Sequence, residues 1–139
     1  MRLITFAKGG ETHIGAFIEA DTKIVDLTAA GVATDMNALI ARGPDGLTAA
    51  QAAIDAAGAT IAADDVQLLA PIPRPHRNVM CVGKNYHDHA AEFHGSGFDS
   101  TGKQAVPEFP VIFTKAPTSV TGPDGEITLA SDDSNSTDY

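Results

Sequence analysis

Basic residues, cysteines and long apolar runs are all scarce in this sequence of 139 residues. Nine Lys and Arg stand against 18 Asp and Glu, so the formal net charge is −9, and a surface of this sign repels phosphate backbones and anionic lipids. The single cysteine excludes an internal disulfide framework and fits a reducing compartment. No stretch approaches the roughly 20 apolar residues of a membrane span, and residues 1–7 are too short for a signal peptide. We therefore expect a cytoplasmic protein without nucleic acid or membrane as a partner.

The apolar pattern and the turn residues predict an α+β fold. Residues 2–6, 12–18 and 23–27 are predicted strands joined by tight turns, which together make an antiparallel meander. Asp35 is expected to cap a helix through residues 40–41, residues 43–46 to break it, and an alanine-rich helix to follow from Thr48. We expect no ionisable cluster in about the first 60 residues.

Three prolines in residues 71–75 mark the predicted domain boundary, because they favour a stiff, extended connection. A short strand at residues 66–69 precedes them. The prediction is a small N-terminal α+β domain at residues 1–70, a linker at 71–77 and the start of a second domain at 78–139. In that second domain we expect strands at residues 79–82, 110–114 and 126–129, and a polar tail at 131–139.

The second domain opens with an apolar run that meets Gly83 and is followed at once by ionisable residues. Asn85 as an N-cap, with Asp88 three residues later, predicts a helix over residues 86–93 that stops at Gly95. His89 and Glu92 would lie on one face of this helix. Glu92 could fix the imidazole tautomer and leave the other nitrogen to take a proton from water, which makes a candidate general-base dyad. The same spacing is also common in solvated pairs on exposed helices.

Two other features of this segment have simpler interpretations. His87, His89 and His94 lie within eight residues and suggest a metal cluster, but the first two point to different sides of a helix and no cysteine pair supports them. Cys81 lies in the apolar run, where a small buried hydrophobe is favoured over a nucleophile.

Residues 81–92, Cys-Val-Gly-Lys-Asn-Tyr-His-Asp-His-Ala-Ala-Glu, carry a resemblance to a known family, together with Pro-Val-Ile-Phe-Thr-Lys-Ala-Pro at 110–117 and Gly-Pro at 122–123. They resemble the fumarylacetoacetate hydrolase (FAH) family, in its bacterial hydroxymuconate isomerase and acylpyruvate hydrolase-like branch. The resemblance implies C–C hydrolysis, decarboxylation or isomerisation of a small 2-oxo or 2-hydroxy acid, with Mg²⁺ or Mn²⁺ as cofactor. It also implies a homodimer and a catalytic domain of mixed β-structure, the FAH-type β-roll. The family pattern Phe-x-Lys-Pro is altered here, since Ala116 separates the lysine from the proline.

The resemblance also implies roles for individual residues. His89, oriented by Glu92, would be the general base, and Lys115 would neutralise substrate carboxylate or stabilise an oxyanion. Lys84, on the loop before the helix, is a second candidate for binding the substrate because an anionic substrate needs local positive charge in so acidic a chain. The glycine- and serine-rich residues 95–103 would form a lid that orders over the ligand, with Phe98 as its anchor. A solvent-exposed loop with an incidental phenylalanine is the alternative reading of those residues.

No metal ligand is expected within this chain. In the family an acidic Glu-x-Glu that binds the metal follows an Asp-Tyr pair, so it would come directly after Tyr139. We therefore expect the N-terminal part of a longer enzyme, weak or inactive alone. The alternative is a non-catalytic module that binds a partner, because the strands at residues 79–82 and 111–113 would have open edges that another chain could complete.

Overall fold

A computed structural model describes residues 1–95 and 108–127, apart from the side chains of His89 and residues 92–94. The described chain is α+β and forms two compact units. One contains Met1–Arg74 and residues 120–127, and the other lies within Pro75–Ser119. The domain division at residues 71–77 stays a prediction. Within the described ranges, no helix has the length and apolar character needed to cross a membrane.

A five-stranded antiparallel sheet forms the framework of the first unit, in the strand order β4-β3-β2-β1-β5. Gly9 and Gly10, with φ of 60° and 86°, make the tight turn between the first two strands, as two left-handed residues in a hairpin require. The predicted meander is therefore confirmed, and two short edge strands extend it. The strands are β1 (Arg2–Lys8), β2 (Glu11–Ile18), β3 (Lys23–Asp26), β4 (Ile61–Ala62) and β5 (Gln67–Leu68).

Two helices, α1 (Met36–Ala41) and α2 (Gly43–Asp55), follow the meander. Asp35 Oδ1 accepts a hydrogen bond from the Ala38 amide at 2.9 Å, so the predicted cap is confirmed. The predicted end of the first helix at residues 40–41 is confirmed, because α1 ends at Ala41, but the predicted start of the second helix at Thr48 is wrong. Helix α2 begins at Gly43 and has Pro44 in its first turn. Proline is tolerated there because the amide hydrogen that it lacks would have no helical partner in the first turn.

The core of the first unit lies between the sheet and these helices. One cluster of buried residues joins strand positions of β2 and β3 to α1 and α2. Ile14 and Ala16 are two positions apart in β2, and Met36 and Leu39 are three apart in α1, as the two periodicities require. The members of the cluster are Ile14, Ala16, Val25, Leu27, Val32, Met36, Leu39 and Ala50.

The second unit contains a two-stranded antiparallel ribbon and a helix. Strands β6 (Val79–Gly83) and β7 (Val111–Lys115) pair in register from Val79 opposite Lys115 to Gly83 opposite Val111. The two strands pair with each other, and neither has a second neighbour among the described residues, so the predicted open edges are present there. Helix α3 (His87–Gly95) follows β6.

The described residues after β7 form no further strand. Pro117–Ser119 is a short 3-10 helix, and the chain then continues without regular structure. The strand predicted for residues 126–129 is absent at Glu126 and Ile127, and its other two residues lie outside the described part.

Candidate functional site

The passage from β6 to α3 carries most of the residues singled out in the sequence. Ala90 N donates a hydrogen bond to Tyr86 O at 2.9 Å. Tyr86 precedes the first helical residue and therefore occupies the cap position. The helix thus begins one residue later than predicted and includes Gly95. Ala90 is fully buried, whereas Tyr86, His87 and Asp88 are exposed.

Both residues of the predicted dyad lie in α3, three positions apart. Positions three apart in an α-helix are neighbours on its surface, so the backbone satisfies the geometric condition for a His-Glu pair. The side chains of His89 and Glu92 lie outside the described part of the structure. Their hydrogen bond and their role as a general base stay predictions.

The two predicted carboxylate-binding lysines lie at opposite ends of the ribbon. Lys84 directly follows Gly83, at the end from which the chain enters α3, and it is buried, with 9% of its surface exposed. Lys115 is opposite Val79 at the other end, and it is exposed. Gly83 lies four positions after Val79, which corresponds to about 13 Å at roughly 3.3 Å per residue. The register therefore places Lys84, and not Lys115, beside the helix of the predicted dyad.

A pocket lies at the α3 end of the ribbon, with a volume of about 220 Å³. It combines a cation, a carboxylate, an amide and an aromatic ring, and its lining residues are Val82, Gly83, Lys84, Asn85, Glu108, Phe109 and Pro110. Sequence reasoning missed Glu108 and Phe109. Antiparallel pairing of the two predicted strands would have revealed them, because residues just before β7 then lie beside residues just after β6.

Two further predictions concern residues outside the described part. The lid residue Phe98 is one, and the histidine cluster is the other, since it depends on the side chains of His89 and His94. Among the residues whose side chains are described, no group of three or more His, Cys, Asp or Glu could hold a metal ion. Cys81 is half-buried in β6.

The first unit contains an ionisable cluster, contrary to the sequence prediction. His13 Nδ1 lies 3.0 Å from Asp26 Oδ2, and His13 Nε2 lies 3.9 Å from Glu11 Oε2. Asp26 Oδ1 also accepts a hydrogen bond from Ala29 N at 2.9 Å, and the His13 ring stacks on Phe6. The cluster was missed because His13 and Asp26 are far apart in sequence and only the pairing of β2 with β3 brings them together.

Comparison with known proteins gives a family match for the chain from residue 78 onwards. Residues 78–139 match the family model described as fumarylacetoacetate (FAA) hydrolase C-terminal. The chain is 52% identical over 58 residues to the oxaloacetate tautomerase YisK of Bacillus subtilis, which is 42% of this chain and 17% of that protein. It is 34% identical over 133 residues to the mitochondrial oxaloacetate tautomerase Fahd2a of Rattus norvegicus, which is 93% of this chain and 39% of the relative.

A solved structure agrees with these relatives. The fumarylacetoacetate hydrolase from psychrophilic Exiguobacterium antarcticum superposes with a TM-score of 0.58 at 35% identity, over 87% of this chain and 37% of that one. The chain thus spans well under half the length of the proteins it matches. The matched segment begins at β6 and contains α3 with the Asn-Tyr-His-Asp-His-Ala-Ala-Glu motif at residues 85–92. Residues 78–139 of this chain therefore belong to the fumarylacetoacetate hydrolase family.

Proposed function

We propose that this protein moves a proton on a small 2-oxo acid, with keto–enol tautomerisation of a dicarboxylic oxo-acid such as oxaloacetate as its reaction. The observation that carries the proposal is that α3 holds His89 and Glu92 one turn apart within the segment that matches the family. The names of two relatives support tautomerisation among the reactions of the family. Hydrolysis of a C–C bond and decarboxylation are the alternatives, and hydrolysis would use the same base to activate water.

The proposed step is a proton transfer through His89. The imidazole takes a proton from the carbon next to the carbonyl group, the electron pair forms the C=C bond, and the carbonyl oxygen takes a proton from water to give the enol. The imidazolium then returns its proton to the resulting hydroxide, which restores the base and the water. Glu92 accepts a hydrogen bond from the other ring nitrogen and stabilises the cationic imidazolium that forms. The reverse sequence converts the enol into the ketone.

A divalent metal, Mg²⁺ or Mn²⁺, is also included in the proposal, since members of this family are generally metal-dependent. The described side chains do not supply a site for it. We therefore assign only proton transfer and substrate binding to the residues of this chain. The proposal further includes a homodimer in the cytoplasm and Phe98 as the anchor of a lid.

The experiment that tests the proposal compares two histidine variants in the same helix. Decay of enol-oxaloacetate is followed by its ultraviolet absorbance with the wild-type protein, His89→Ala and His87→Ala. Loss of a general base lowers the rate by about 10²- to 10⁴-fold, so His89→Ala should lose that much activity. The exposed His87 lies in the same helix and is the matched control, expected to stay within about twofold of wild type. Equal activity of wild type and His89→Ala would contradict the proposal.

A second candidate function is a non-catalytic module that binds another chain. It is favoured by the apolar side chains that the ribbon exposes, with exposed fractions from 36% to 70%: Val79, Met80, Val82, Ile112 and Phe113. Two-stranded ribbons are marginally stable by themselves, and exposed apolar patches often mark interaction surfaces. Sedimentation velocity of wild type and Ile112→Lys tests this candidate. An assembly that Ile112→Lys dissociates, in a protein without oxo-acid turnover, would favour it over the enzyme.

A further inference from the structure

The residue between β6 and α3 has an unusual backbone conformation. Lys84 has a φ of 52°, in the left-handed region that is unfavourable for residues with a Cβ atom and open to glycine. The other non-glycine residues with positive φ in the described chain are Glu19, Ala20 and Asp21, which share one turn. Glycine would adopt this conformation more easily. A lysine at this position therefore suggests that its side chain has a role.

Lys84 is one of the residues that line the pocket at the end of the ribbon. Lysine is rarely buried unless it interacts with other groups, and Lys84, although only 9% exposed, does interact with the rest of the protein. An ammonium group has three donors, so it can serve a protein partner and a ligand at once. The pocket is open to solvent through the exposed Glu108 and Phe109, which is 74% exposed.

The pocket contains one positively charged residue and one negatively charged residue, which act in opposite directions on an anion. Lys84 would attract a carboxylate, and Glu108 would repel it. Lys115 cannot take part, because the strand register holds it at the other end of the ribbon. A substrate that has one carboxylate at its reacting end and another at its far end could therefore direct the second group to Lys84, three residues before the start of α3.

We propose that Lys84 binds the distal carboxylate of a dicarboxylic oxo-acid and so determines specificity for dicarboxylates over monocarboxylates. This inference rests on the proposed function for the identity of the reaction. The ligand contact itself does not depend on that reaction. Glu108 is the opposing group that limits the affinity.

The kinetic test uses two oxo-acids that tautomerise, oxaloacetate with two carboxylates and phenylpyruvate with one. Lys84→Met should lower kcat/KM for oxaloacetate by about 10- to 100-fold, the range that a charge-assisted hydrogen bond supplies, and change phenylpyruvate by less than about twofold. Lys84→Arg should recover part of the loss. Glu108→Gln should act in the opposite direction and lower KM for oxaloacetate. Lys8→Met, at an exposed lysine of the first unit, is the matched control.

A binding measurement separates this inference from the proposed function. Malonate, a dicarboxylate that does not tautomerise in this way, is titrated calorimetrically into wild type, Lys84→Met and Glu108→Gln. Weaker binding to Lys84→Met and tighter binding to Glu108→Gln are expected even if His89→Ala shows that the reaction was wrongly assigned. Equal malonate binding by wild type and both variants, or a selective loss in Lys115→Met instead, would overturn the inference. Glu108→Gln changes an exposed side chain, so the test stands if Lys84→Met does not fold.

Discussion

Replacement of Gly15 by alanine should destabilise the first unit strongly. Gly15 lies in the middle of β2, between β1 and β3, opposite Ile4 and Asp26. A Cβ atom there would stand 2.8 Å from Ile24 Cγ2, 2.8 Å from Val25 O and 2.9 Å from Phe6 Cε1. Ordinary contacts begin at 3.4 Å, so each neighbour would have to move by about 0.5 Å or more.

These neighbours have little freedom to move. Phe6 and Ile24 are fully buried, and Val25 is held in the β2–β3 pairing. Overpacking of this kind costs about 1–3 kcal/mol. The cost should lie near the upper end of this range because one close contact is with Val25 O, a backbone atom that cannot change rotamer. Alanine also reduces the entropy of the unfolded chain, which offsets about 0.4–1 kcal/mol. The net loss should be about 2 kcal/mol, or a melting temperature lower by roughly 10 °C.

The assay is urea and thermal unfolding followed by circular dichroism, with Gly58→Ala as the control. No atom lies within 4 Å of a Cβ atom added at Gly58, so that variant should unfold like wild type or slightly later. In the double variant Gly15→Ala with Phe6→Leu, one of the three close contacts is removed, and the combined loss should be smaller than the sum of the single losses. A Gly15→Ala protein as stable as Gly58→Ala would refute the packing argument.

Three further substitutions test local features of the first unit by the same unfolding measurements. Asp35→Ala removes the cap of α1 and should cost about 1 kcal/mol, whereas Asp35→Asn, which keeps an acceptor oxygen, should cost less; equal losses would contradict a capping role. Gly46→Ala would place a Cβ atom 2.6 Å from a backbone oxygen of α1 and should cost about 2 kcal/mol, and a neutral result would show that the two helices can separate without penalty. Ala20→Gly, at a φ of 54°, should stabilise the protein by up to about 1 kcal/mol, while Ala52→Gly in the exposed middle of α2 should destabilise it by a similar amount; effects of the same sign would refute this account.

Local sequence signals predicted the elements of the first unit well. Alternating apolar residues separated by Gly-Gly and other turn residues gave the meander, and Asp35 correctly indicated a helix start. The beginning of α2 was misplaced because Gly and Pro were interpreted as helix breakers, although the first turn tolerates both. The His13–Asp26 contact was not predictable from either residue, since it depends on the pairing of two strands.

The candidate site was predictable in part. The motif at residues 85–92 identified the helix of the predicted dyad and the family. It did not give the relative positions of the two lysines, because they follow from the register of β6 with β7, two strands separated by a long stretch of chain. The left-handed conformation of Lys84 also has no local sequence signal, since glycine or asparagine would be expected there.

The central claim is that His89 moves a proton on the carbon next to the carbonyl group of an oxo-acid. The most direct measurement is the exchange of that carbon-bound hydrogen of oxaloacetate with deuterium from heavy water, followed by proton NMR. We predict that wild type and His87→Ala accelerate the exchange above the buffer rate and that His89→Ala does not. Exchange with His89→Ala that is as fast as an accelerated wild-type exchange would contradict the account.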